Sequence, residues 1–141
     1  MSGIELKGVA KGALLGGVAA GAVCTALYFV GVAIGADFKP KDPAMMGGMA
    51  VLPPFQPMIN CIIAGVISIG LVALLSKIAP AKAWNIYVGV AVVVFGLELL
   101  PPFFAFADLK TIIILELMHV PAALGVVLGI RRFGFPKAAT S

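Results

Sequence analysis

Charge is nearly absent from four long stretches of this chain, and that absence limits what it can fold into. No charged residue occurs between Gly12 and Ala36, and further apolar runs lead up to Lys77, Leu100 and Arg131. Hydrophobic residues make up 62% of the chain and charged residues 11%, which is more apolar surface than one compact soluble core can hide. A membrane-spanning helix uses about 20 residues, so four of them fit with short connections and no second soluble domain. The expectation is an all-α, membrane-embedded four-helix bundle in one domain, 1–141, with helices near 12–34, 57–77, 83–100 and 109–130 and the lipid bilayer as its partner.

Helix ends are marked by proline and charge. Lys39, Pro40, Lys41, Asp42 and Pro43 form a polar connection that breaks helix, because proline lacks an amide donor and disfavours helix in the residue before it. The segment Ala44 to Phe55, interrupted by Gly47, Gly48, Pro53 and Pro54, reads as a loop at the outer interface. Pro80 stops the second helix, and Trp84 and Tyr87 open the third as an interfacial aromatic belt. Pro101 and Pro102 end the third, with Phe103, Phe104 and Phe106 resting at the outer interface. Asp108 is placed to cap the fourth helix, and Pro121 inside it deprives the Leu117 carbonyl of its helical donor. The first apolar stretch exceeds the roughly 7–15 residues of a signal-peptide core, so it reads as a retained helix.

Topology follows from where the cations sit. Lys7, Lys11, Lys77, Lys82, Arg131, Arg132 and Lys137 share one side against Lys39, Lys41 and Lys110 on the other. The positive-inside rule therefore puts both termini in the cytoplasm. The net charge of +4 is spread in ones and twos at helix ends, which gives no basic face for nucleic acid. Cys24 and Cys61 lie in apolar runs without C-x-x-C spacing and read as small buried side chains.

Small residues recur at four-residue spacing. Gly8, Gly12, Gly16 and Ala20 make one ladder, Ala13, Gly17, Gly21 and Thr25 a second, and Gly125 and Gly129 repeat the pattern in the fourth helix. Such ladders let helix backbones approach in lipid, within the monomer or across an oligomer contact. The tetrapeptide Leu-Pro-Pro-Phe at Leu52–Phe55 and Leu100–Phe103 suggests either a duplicated helical hairpin or convergent interface composition.

Ionisable groups in lipid are expensive, so Glu98, Glu116 and His119 stand out. On an inward-running fourth helix, Glu116 lies roughly 10 Å and His119 about 15 Å from the outer end. Three residues apart, they share a helix face. Gln56 and Asn60, one turn apart in the second helix, extend a polar track toward Glu98 and Glu116. Glu-x-x-His is the spacing of di-metal bundles, but those use two such motifs and further carboxylates; the sequence assigns no metal and no cofactor. Met45, Met46 and Met49 read as interfacial packing before a copper site.

Gln56-Pro57 opening the second helix, Leu99-Leu100-Pro101-Pro102 closing the third and Leu117-Met118-His119 in the fourth resemble the pattern of a family of small bacterial four-helix membrane proteins, a domain of unknown function. The resemblance covers most of the chain. It implies the bacterial cytoplasmic membrane and puts weight on His119, whereas acids at Glu98 and Glu116 depart from that pattern.

Nucleophile-elbow, phosphate-loop and H-E-x-x-H motifs are absent, which leaves enzyme chemistry only the Glu116–His119 acid-base pair. Two functions stay open. One is binding or transport of a cation, proton or small polar ligand through Gln56, Asn60, Glu98, Glu116 and His119. The other is an accessory or scaffold subunit of a larger membrane complex, in which the polar cluster only sets helix register.

Overall fold

The computed structural model describes residues 4–135. Its helices are α1 (Leu6–Ala33), α2 (Gln56–Ile78), α3 (Ala83–Glu98), the short α4 (Pro101–Ala105) and α5 (Leu109–Gly134). Four helical segments are long and apolar enough to cross a membrane, and no strand occurs among the described residues. The chain is an all-α membrane protein.

α1 starts at Leu6, ahead of the expected boundary, and α5 continues through Arg131 and Arg132 to Gly134. Hydropathy marks the hydrocarbon core, whereas a helix can project past it with its charged side chains in water. The prolines after α3 both end one helix and begin another. Pro101 and Pro102 occupy the first positions of α4, where a missing amide hydrogen costs nothing. Lys137 lies outside the described residues.

The glycine ladders set the order of the bundle. Cβ atoms at Gly8, Gly12 and Gly16 would collide with the backbone of Phe133, Gly129 and Gly125, so α1 and α5 run antiparallel in backbone contact. The neighbouring face of α1 is used the same way. A Cβ at Gly17 would lie 2.9 Å from the Cys61 carbonyl oxygen, and one at Gly65 equally close to that of Ala13. Gly21 sits on Met58. Both glycine faces of α1 are thus filled within the chain, one by α5 and one by α2, and a second copy would have to use another surface.

α3 completes the bundle loosely. Its N-terminal end is held where Trp84 packs against Tyr87 and Phe135 and lies under the Arg131 guanidinium, 4.8 Å from the ring centroid, a cation–π contact. Tyr87 is not a belt residue: it is buried, and its hydroxyl donates to Ser68 Oγ at 3.2 Å. Above that point Val92, Val93, Val94 and Leu97 are exposed.

The connection between α1 and α2 folds over the end of the bundle where α5 begins instead of lying free. Phe38, buried and at φ +49°, stacks on Tyr28 at 4.2 Å. Its N–H donates to Thr111 Oγ1 at 3.0 Å. The Tyr28 hydroxyl donates to the Leu52 carbonyl at 2.8 Å. Asp108 caps α5, accepting from the Thr111 hydroxyl at 2.7 Å and its amide at 2.9 Å. These bonds satisfy backbone groups that a buried loop would otherwise strand. Phe106 is buried beneath this loop, whereas Phe103 and Phe104 are exposed. The two Leu-Pro-Pro-Phe segments differ in conformation, since Leu52–Phe55 is irregular and Leu100–Phe103 runs into α4.

Candidate functional site

Tight α1–α2 and α1–α5 seams leave α3 standing away from its neighbours, and a cleft of about 470 Å³ opens between α2, α3 and α5. That size falls within the roughly 300–1,000 Å³ of small-molecule sites. The walls are mostly aliphatic, with Ile67, Val94 and Val127 among them. Polar groups come at two levels. Asn60, Glu98 and His119 line the part near the start of α2 and the end of α3, and the Tyr87–Ser68 pair lies further along the cleft. Asn60 and Ser68 are two helical turns apart, roughly 12 Å at 1.5 Å per residue.

The polar side chains at this end differ in the bonds they already make. The His119 Nδ1 lies 2.7 Å from the Leu115 carbonyl oxygen. A carbonyl only accepts, so Nδ1 is the donor in this contact. Asn60 Oδ1 accepts from Gln56 Nε2 at 2.9 Å, which leaves the Asn60 amide hydrogens for another partner. Gln56 braces Asn60 and does not itself line the cleft. Glu98 ends α3 with its side chain exposed, and no other residue lining the cleft carries a formal charge.

Glu116 stands apart from this group. It does not line the cleft, it makes no hydrogen bond to His119, and its Oε1 is buried without a partner. Sharing a helix face brings two Cβ atoms near each other, but the bond His119 makes is to the Leu115 carbonyl of its own helix and not to Glu116. Thr25 Oγ1, on α1, is likewise buried and unpaired. Among the described residues no three of His, Cys, Asp and Glu come together as metal ligands. Of the five polar-track residues, the structure gathers Asn60, Glu98 and His119 around one space, with Gln56 behind Asn60 and Glu116 outside.

Sequence reasoning missed the deeper part of the site. Cys24 and Cys61 touch, with Sγ atoms 3.9 Å apart, and both line the cleft, as do Ser68 and Tyr87. Ser68 is the one sign that was available, a hydroxyl inside the apolar run of α2. Phe95, one turn before Glu98, also lines the cleft and is indistinguishable in sequence from a core phenylalanine.

The helices and the positions that line the cleft fall within a match to a family of unknown function that spans residues 5–134. The chain belongs to that family, DUF6069. The match includes all four membrane-spanning helices and His119, so the fold described above is that of the family region as a whole. Comparison with curated proteins and with solved structures returns no match.

Proposed function

We propose that this protein binds a small molecule drawn from the bilayer, with the polar end of the ligand at Asn60, Glu98 and His119 and the rest in the cleft. The supporting observation is the cleft itself: an apolar groove between α2, α3 and α5 with three polar side chains converging near one end. That combination is the ordinary make-up of a ligand site. Binding at this site is the first step of any passage of a cation, proton or polar ligand along the same residues. The proposed setting is the bacterial cytoplasmic membrane with both termini inside, as the cation distribution supports.

The test is to purify the protein in a mild detergent and identify co-purifying small molecules by mass spectrometry, beside a variant with Ala91→Phe and Ala123→Phe. Both alanines line the cleft. A species retained by the parent and lost from the filled variant is the expected result, and identical profiles would refute the reading.

A second reading, an accessory subunit of a larger membrane complex, draws on the exposed valines of α3. A partner that co-purifies in stoichiometric amount and is lost on Val93→Arg would favour it.

A further inference from the structure

The charge and shape of the cleft narrow the ligand further, on the reading that it is a ligand site. Glu98 is the formally charged residue of the lining, and no Lys or Arg lines it. Two of the three cations at that end of the bundle are held by main chain: Lys110 Nζ donates to the Ile34 carbonyl at 2.9 Å and Lys41 Nζ to the Phe103 carbonyl at 3.0 Å. Glu98 thus shares the groove with no lysine or arginine side chain, and at the edge of a low-dielectric groove an opposite charge is attracted more strongly than in water. Phe95 precedes it by one helical turn and lines the same cleft, so an aromatic face and a carboxylate occupy one stripe of α3. Aromatic faces are the usual recognition surface for alkylammonium groups. His119 lines the cleft too, and its Nδ1 donates to the Leu115 carbonyl and so is not free to meet an anionic group. An anionic headgroup would meet repulsion from Glu98.

We propose that the cleft takes a lipophilic cation, an ammonium compound whose charged end rests on Glu98 and Phe95 and whose apolar body extends inward toward Tyr87. From Glu98 to Tyr87 is eleven residues of α3, roughly 16 Å, so the body is a hydrocarbon chain or a set of fused rings about half the thickness of the bilayer core. The ligand enters sideways from the lipid, since the groove lies beside the exposed flank of α3.

The experiment uses the full chain in nanodiscs of zwitterionic lipid and two diazirine photoprobes of equal length. One is a dodecyl chain ending in trimethylammonium, and the other ends in an uncharged tert-butyl group. Labelled positions are mapped by mass spectrometry. The expected result is labelling of cleft residues on α2, α3 and α5 by the cationic probe, at least tenfold weaker labelling in Glu98→Gln, and recovery in Glu98→Asp. Glu98 is exposed and makes no hydrogen bond that holds the fold, so an unchanged melting temperature in Glu98→Gln separates lost binding from lost structure. Equal labelling by both probes, with no effect of Glu98→Gln, overturns the cation assignment and leaves the cleft as a ligand site. Absence of cleft labelling by either probe overturns both.

Discussion

Replacing Gly12 with alanine tests the packing on which the rest of the bundle depends. The new methyl would meet the backbone of Gly129 and come within 2.9 Å of the Ile130 nitrogen. No side-chain rotation relieves that contact, because what it meets is main chain. α1 and α5 must part by on the order of 1 Å along the seam, and a gap of that size forfeits a quarter to a half of each dispersion contact it opens. Overpacking of this kind costs about 1–3 kcal/mol, and an immovable neighbour puts the cost near the upper end. Alanine itself gains about 1 kcal/mol over glycine in a helix, so Gly12→Ala should destabilise the protein by up to about 2 kcal/mol. Gly89 supplies the control, since nothing lies within 4 Å of a Cβ built there and Gly89→Ala should stabilise by up to about 1 kcal/mol. Unfolding in mixed micelles by increasing SDS, followed by ellipticity, measures both. Shifts of the same sign and size in the two variants would refute the backbone-contact seam.

The cap of α5 and the core give two further tests. Asp108 is held below its ordinary value of 3.8, first by the Thr111 hydroxyl and then by the Thr111 amide. Its cap therefore supports folding above that value and is lost as pH falls through the lower folded one; Asp108→Asn should flatten the acid limb of stability against pH, and an unchanged limb would mean that the cap is unimportant. Cys24 and Cys61, both unbridged and buried with sulfurs 3.9 Å apart, should close to an intramolecular disulfide when iodine is added to the reconstituted protein, the two thiol protons leaving as hydrogen iodide. Mass spectrometry that finds both thiols still alkylatable, or cross-links only between chains, would place α1 and α2 in a different register.

Local chemistry was enough to read the helices and their rough ends. Long uncharged runs must be helical in lipid, because every backbone group has to be satisfied within the segment, and Asp108 caps α5 because an N-cap needs only its own next few residues. Glycines at four-residue spacing announced close packing for the same reason. Which helix would fill each glycine face was not legible: Gly12 and Gly17 look alike in sequence, yet one meets α5 and the other α2. Glu116 and His119 show the same limit, since their spacing predicts a shared face but not that His119 bonds back to Leu115 and leaves Glu116 outside the cleft. The cleft itself exists only in three dimensions. Glycine pulls α1 tight against two partners while α3, whose glycines meet nothing within 4 Å, stays back, and the space between them is a difference in packing distance that no single segment encodes.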